Sequence, residues 1–465
     1  MNLIHGRRHP ASFRDSTGTV FDINGRIVRG LSSEGAQRYF NLKQSGLLQE
    51  LEQADRIIVS KDIGLMDLSP KYIHYLEHEL IPYISYPYEW PFLLLKDAAL
   101  LHLSIQIQSL ERDIVLSDAS AYNIQFKGVS PIFIDVLSFR PYKEGELWGG
   151  HRQFCEQFLN PLLLHAIIGV PYQAWYRGSL EGIPTELLAN LLPLKSWFSA
   201  RSLAHVLLPA WSQKKFADKR KNKAIQKIKN ATIPKAVYKS FLSQLHRWIE
   251  SLSPKKNQTA WGNYSETRTY QSQELIAKKD FITEFVSKTS PTLLWDLGCN
   301  DGEFAELALQ NGAEVVVGFD VDLGALEKAV FRAKEKKLNF LPLYQQITNS
   351  SPKQGWLLTE RSSITDRGSP ESIIALAFIH HLAIGHNIPL SEVIAWLVHL
   401  APNGVVEFVQ KTDPTIQQML ALKGDIFPDY NEEYFLKLLH EKTTIIKSRT
   451  ISETGRSLYW YERKT

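Results

Sequence analysis

A buried-type strand that runs straight into a glycine-bearing bend and out again as an amphipathic helix can be accommodated in few folds. Residues 293–308, Leu-Leu-Trp-Asp-Leu-Gly-Cys-Asn-Asp-Gly-Glu-Phe-Ala-Glu-Leu-Ala, have that form. Gly298 and Gly302 let the chain turn tightly and bring backbone N–H groups close to a ligand. Asn300 suits such a bend because asparagine tolerates left-handed backbone better than most residues. The N-terminus of the helix that follows adds partial positive charge, favourable to a carboxylate or phosphate. The next apolar run, 315–319, closes on Asp320, 22 residues past Gly298, near the spacing at which an acidic residue takes ribose hydroxyls in nucleotide folds. A dinucleotide fingerprint needs glycines where this chain has Asn300 and Glu303, so that reading is weak. Further apolar runs at 373–378 and 405–409, most followed by helical patterns, predict a parallel, doubly wound α/β sheet. The chain then closes with strand-like runs at 443–451 and 457–461 around a Gly-Arg turn, an antiparallel hairpin.

With 465 residues the chain exceeds one ordinary core, and its patterns divide it into three. Residues 1–150 mix short strands with helices: Asn24-Gly25 between strand-like runs at 19–22 and 26–30 is a hairpin signal, and a helical stretch at 33–53 should break near Gly46. Residues 151–255 read as a helical extension, with Leu162, Leu163, Ile167 and Ile168 on one face and Leu187, Leu188, Leu191 and Leu192 on another. Residues 256–465 carry the α/β pattern. A net charge of +4, from 53 basic and 49 acidic residues, does not indicate nucleic acid. The basic run 214–229 reads either as a solvated arm or as a patch for an anionic partner. Two cysteines, Cys155 and Cys299, form no disulfide framework or unaided metal site, and read as thiols of a reducing compartment. The apolar stretches are too short to span a bilayer, and the start lacks a secretory h-region; a cytoplasmic protein is expected.

Asp296-Leu-Gly-Cys-Asn-Asp-Gly302, followed by Asp320, resembles the first two motifs of class I S-adenosylmethionine-dependent methyltransferases. The terminal hairpin resembles that family's sheet of six parallel strands and one antiparallel. The likeness implies that Asp296, Gly298, Cys299, Asn300 and Gly302 lie around the methionine part of S-adenosylmethionine, that Asp320 binds the ribose, and that Asn349 contacts the adenine. The fourth strand runs into Ile379-His-His-Leu382, at the edge facing the methyl group in such folds. His380 or His381 is the candidate base for an acceptor that must lose a proton; equally, one packs beneath the sheet and the other caps the adenine pocket. Glu407 is a weaker candidate. Trp261, Tyr264 and Tyr270 are candidates for an aromatic lid or for ordinary packing.

A second constellation lies at 115–135. Asp118 and Asn123 show the Asp-x-x-x-x-Asn spacing of a kinase catalytic loop, and a hairpin from 124–126 to 132–134 would carry Asn123 and Asp135 to one mouth. The stretch resembles the core of kinase-like and aminoglycoside-phosphotransferase-like folds. That implies an α+β kinase-like region with Asp118 as base and Asn123 and Asp135 as Mg²⁺ ligands for Mg-ATP. No glycine-rich phosphate loop is present, and Arg29 is the nearest residue to a β3 lysine. Over nearly its whole length the chain also resembles nodulation-protein-like bacterial methyltransferases, through Tyr86-Pro-Tyr-Glu-Trp-Pro-Phe92, Leu116–Asn123, Arg152–Pro161 and Ile379–Leu382.

The expected function is therefore methyl transfer from S-adenosylmethionine, with the N-terminal region recruiting or positioning the acceptor. Saccharide, small metabolite, protein and RNA acceptors all remain open. The alternatives are a Mg-ATP-dependent phosphotransferase or pseudokinase centred on Asp118, Asn123 and Asp135, and a non-catalytic scaffold.

Overall fold

The computed structural model describes residues 6–66, 68–197, 199–208, 232–255 and 272–464. The basic run 214–229 and the aromatic candidates Trp261, Tyr264 and Tyr270 lie outside the described residues.

The chain begins with a five-stranded antiparallel sheet. Its strands are β1 (Arg7–Arg8), β2 (Gly18–Ile23), β3 (Arg26–Leu31), β4 (Ser60–Gly64) and β5 (His74–His78), in the order β1-β2-β3-β5-β4. Asn24 and Gly25 join β2 to β3 with φ of 53° and 82°, the doubly left-handed turn whose twist matches the strands it connects. Gly46, at φ 76°, breaks the helical stretch into Ser33–Gln44 and Leu47–Gln53. The long helix Phe92–Leu110 is apolar on nearly every side and largely buried, as a helix enclosed on all faces must be. Beyond it β6 (Ile114–Leu116) pairs with β9 (Phe139–Pro141), and β7 (Ile124–Lys127) with β8 (Ser130–Phe133). The helix Lys235–Ser251, at the end of the helical stretch, folds back along Phe92–Leu110, where the Gln106 amide donates to the Tyr238 hydroxyl at 2.8 Å.

The second sheet is built from β10 (Leu293–Leu297), β11 (Val315–Asp320), β12 (Phe340–Tyr344), β13 (Ser372–Ala375), β14 (Asn403–Val409), β15 (Thr443–Thr450) and β16 (Arg456–Arg463). Counted within this sheet the order is 3-2-1-4-5-7-6. Strand β16 alone runs antiparallel to its neighbours β14 and β15. Six strands therefore share one direction and the last is inserted against them, as the terminal hairpin predicts. One boundary departs from expectation: β13 stops at Ala375, not 378. Ala377 takes φ 48° and gives its N–H to the Glu407 carboxylate at 2.8 Å, a long-range contact that ends the strand.

A continuous buried apolar cluster runs from Leu31 to Tyr461 and joins the two sheets. Tyr83 stacks edge-on against both Trp295 and Phe319. Glu327, on the helix Leu323–Lys336, accepts the N–H groups of Phe92 and Leu93 at 2.6 and 3.2 Å, a carboxylate cap on the helix Phe92–Leu110. Burial outweighs those two bonds and pushes the Glu327 carboxyl up to about 7. Among the described residues no helix is long and apolar enough to cross a membrane.

Candidate functional site

The order of the second sheet reverses between β10 and β13, and the crevice outside the carboxyl ends of strands at such a switch point is where open α/β sheets bind ligands. The bend after β10 forms one wall. Gly298, Asn300 and Gly302 all adopt left-handed backbone, with φ of 79°, 48° and 80°. A Cβ at Gly302 would meet the Phe340 ring at 2.5 Å, so no larger residue fits. The N–H groups of Gly298 and Cys299 both reach the Phe319 carbonyl, at 2.8 and 3.1 Å. Asp320 fixes the bend from the neighbouring strand: Asn300 N–H donates to Oδ2 at 2.9 Å and Asp322 N–H to Oδ1 at 2.8 Å. Burial pushes the Asp320 carboxyl up, against these hydrogen bonds.

Asp296, near the carboxyl end of β10 and just before this bend, is 3% exposed. Its Oδ2 is buried and has no hydrogen-bond partner. Burial, with the nearby carboxylates of Asp320 and Asp301, pushes its carboxyl up to about 7. An orphaned buried carboxylate is costly, and a cationic group entering the crevice would relieve it. The Cys299 side chain is buried. It packs so close to the next strand that a Cβ at Gly318 would lie 2.7 Å from Sγ. Asn349 ends a short turn, Ile347–Asn349, with its carbonyl held by Arg177 at 2.7 Å. The residue that pattern reading passed over is Gln345, directly after β12. It is buried, its N–H donates to the Asp320 carbonyl at 2.8 Å, and its Nε2 has no partner. The only sequence signal was a polar residue closing an apolar strand.

His380 and His381 follow β13 with ring centroids 4.3 Å apart, but their surroundings differ. His380 is 1% exposed. Burial, then His381, Arg456 and Lys278, hold its imidazole far below the usual histidine range. His381 is only partly buried, and burial and His386 lower it. Both are therefore neutral at neutral pH. Glu407 is fully buried and takes Lys278 Nζ at 2.7 Å, Arg456 Nη1 at 3.2 Å and the Ala377 N–H. Its carboxylate holds the loop after β13 through the Ala377 N–H.

In the N-terminal region the hairpin β7–β8 does bring Asn123 and Asp135 to one mouth, and Ile134 N–H donates to the Asn123 carbonyl at 2.9 Å. Their side chains are already committed. The Asn123 amide donates to both oxygens of Asp118 at 3.2 and 3.1 Å, and the Ser138 hydroxyl adds a bond to Asp118. Asp135 pairs with Arg29 Nη1 at 2.7 Å, and Arg29 also binds Asp15 at 2.6 Å. A fixed guanidinium thus neutralises the carboxylate that would face a metal, so these residues do not fit Mg²⁺. The metal and Mg-ATP expectation for Asp118, Asn123 and Asp135 is corrected on this ground.

The 3-2-1-4-5-7-6 sheet, the bend of Gly298–Gly302 and the carboxylate closing β11 define a class I methyltransferase fold. No family model matches the chain. It is 42% identical over 460 residues to nodulation protein NoeA of Rhizobium meliloti (strain 1021), covering 98% of this chain and 96% of that protein. The protein belongs to the NoeA family. Among solved structures it is similar to the N-methyltransferase NodS of Bradyrhizobium japonicum WM9, at 13% identity over 42% of this chain and 99% of that one, TM-score 0.32. It is also similar to magnesium protoporphyrin IX methyltransferase of Synechocystis PCC 6803 with bound SAH, at 18% identity over 48% of this chain and 95% of that one, TM-score 0.30.

Proposed function

We propose that residues 256–465 bind S-adenosylmethionine in the crevice at the switch point and transfer its methyl group, while residues 1–255 position the acceptor. The observation that carries this reading is the unpaired, buried Oδ2 of Asp296 beside the glycine bend. Asp296 would face the cationic methionine part, the backbone of Gly298–Gly302 would line it, Asp320 would accept from the ribose hydroxyls, and Gln345, ahead of Asn349, has an amide for the adenine edge. The donor supplies an already activated methyl group, so the protein's share is alignment and exclusion of water. A neutral imidazole can accept the proton an acceptor loses, and His381, the less buried of the pair, is the one we assign to that step; His380 supports it from below. The segment after β12 supports a role for the N-terminal region. Ser351 donates to Glu89 at 2.6 Å, and Arg361 stacks over Tyr122 at 3.9 Å, so the adenine side of the crevice is built partly on residues 86–123.

Asp296 makes the reading testable by pH. In the unfolded chain its carboxyl ionises near the ordinary value of about 3.9; in the folded protein it does so at about 7. Between these values the folded state holds a proton that the unfolded chain has released. This group's contribution to stability therefore falls as pH rises through that window and is level above it. A cationic ligand prefers the ionised form, so affinity for S-adenosylhomocysteine, whose ammonium remains, should rise with pH up to about 7 and then flatten. Asp296→Asn should raise the apo melting temperature at pH 7, weaken binding and abolish the pH dependence. Calorimetric titration across the window checks this; pH-independent binding by the unmutated protein would contradict it.

A further inference from the structure

Far from the crevice in sequence, His151, Cys155 and His205 converge. His151 and Cys155 are one helical turn apart at the start of the winding segment 151–168, and His205 comes from the turn Leu203–Leu207. His151 Nε2 lies 3.1 Å from His205 Nδ1 and 3.5 Å from Cys155 Sγ, and the three ligand atoms all fall within 4.8 Å of one another. We propose that these three side chains form a Zn²⁺ site with two imidazole nitrogens and one thiolate as ligands.

The spacing suits the cation. Zn–N bonds of about 2.0 Å and a Zn–S bond of about 2.3 Å in a tetrahedron put nitrogens about 3.3 Å apart and nitrogen about 3.5 Å from sulfur. The chemistry suits it too, since thiolate with imidazole is a donor set for zinc rather than for Mg²⁺ or Ca²⁺. Cys155 and His205 are buried and His151 is half-buried, so the site has a dry interior and one side open to entry. Aromatic rings enclose it: Trp148 lies against His151, Phe241 against both histidines and Trp248 against His205. On binding, the Cys155 S–H bond breaks, its proton leaves to solvent and the sulfur lone pair forms the bond to zinc. Water completes the fourth position. The bound ion would tie the segment 151–159 to 203–207, and through Phe241 and Trp248 to the helix Lys235–Ser251.

The test uses the full chain, stripped with chelator and titrated with Co²⁺. One equivalent per chain should bind and produce a thiolate-to-cobalt charge-transfer band with the visible bands of a tetrahedral site, and Zn²⁺ should displace both. Zn²⁺ should also raise the melting temperature, by an amount that grows with the logarithm of its excess over Kd. Cys155→Ser should lose the charge-transfer band, while Cys299→Ser, which changes the other cysteine, should keep it. Absence of the band from the unmutated protein means a hydrogen-bonded cluster only and overturns the proposal. Its survival in Cys155→Ser overturns it equally. The cobalt titration of the unmutated chain decides the matter even if Cys155→Ser does not fold.

Discussion

Replacing Glu89 by alanine is expected to destabilise the protein by about 3–5 kcal/mol, the range for removing one partner of a buried ion pair. Glu89 and Arg367 have side chains each 2% exposed, and the carboxylate meets the guanidinium through both of its oxygens. Glu89 also accepts the Tyr86 N–H at 3.0 Å and the Ser351 hydroxyl. Without it, Arg367 keeps the Ile84 and Ser363 carbonyls and the faces of Tyr83 and Tyr86, which stabilise a cation but do not neutralise it. The pair also joins the N-terminal region to the segment after β12, so affinity for S-adenosylhomocysteine should fall along with stability. Urea midpoints for Glu89→Ala, Arg367→Ala and the double variant measure the coupling. Changes below about 1 kcal/mol for the single variants, the range of an exposed pair, would show that the seam does not depend on these charges.

Glu407→Ala should have a similar cost, again about 3–5 kcal/mol, and should also damage the crevice. The carboxylate sits between Lys278 and Arg456, both nearly fully buried; Arg456 has Asp413 as a second carboxylate at 2.7 Å. The same group holds the N–H of Ala377, whose left-handed backbone carries strain of about 1–3 kcal/mol. Released, the loop carrying Phe378, His380 and His381 should relax. Glu407→Gln keeps an acceptor for Ala377 but lacks the charge. It should therefore lose stability while retaining more ligand affinity than the alanine variant, a split visible by combining denaturation with calorimetry. Equal losses of affinity in the two variants would detach Glu407 from the loop.

What the sequence discloses here follows the range of the forces involved. The strand Leu293–Leu297, the glycine bend, the Asn24-Gly25 turn and the terminal hairpin are local: backbone preference and hydrophobic period specify them within a few residues. The early end of β13 is not local, because it depends on Glu407 reaching Ala377 from the next strand. The same holds for Arg29 on Asp135, which turns an apparent metal cluster into a neutralised network from 106 residues away. Glu89 with Arg367, and His151 and Cys155 with His205, likewise have no signature in sequence spacing. For Cys299 the place in the motif is local, while the direction of its side chain is set by the gap over Gly318.

The most direct measurement is calorimetric titration of S-adenosylhomocysteine into the unmutated protein and into Asp320→Ala, with circular dichroism to verify that the variant folds. Saturable binding of one molecule per chain is expected, weakened at least about tenfold in the variant, since each hydrogen bond to a charged group contributes about 1.5–3 kcal/mol. No binding, or the same affinity in both proteins, would contradict the placement of the donor between the Gly298–Gly302 bend and Asp320.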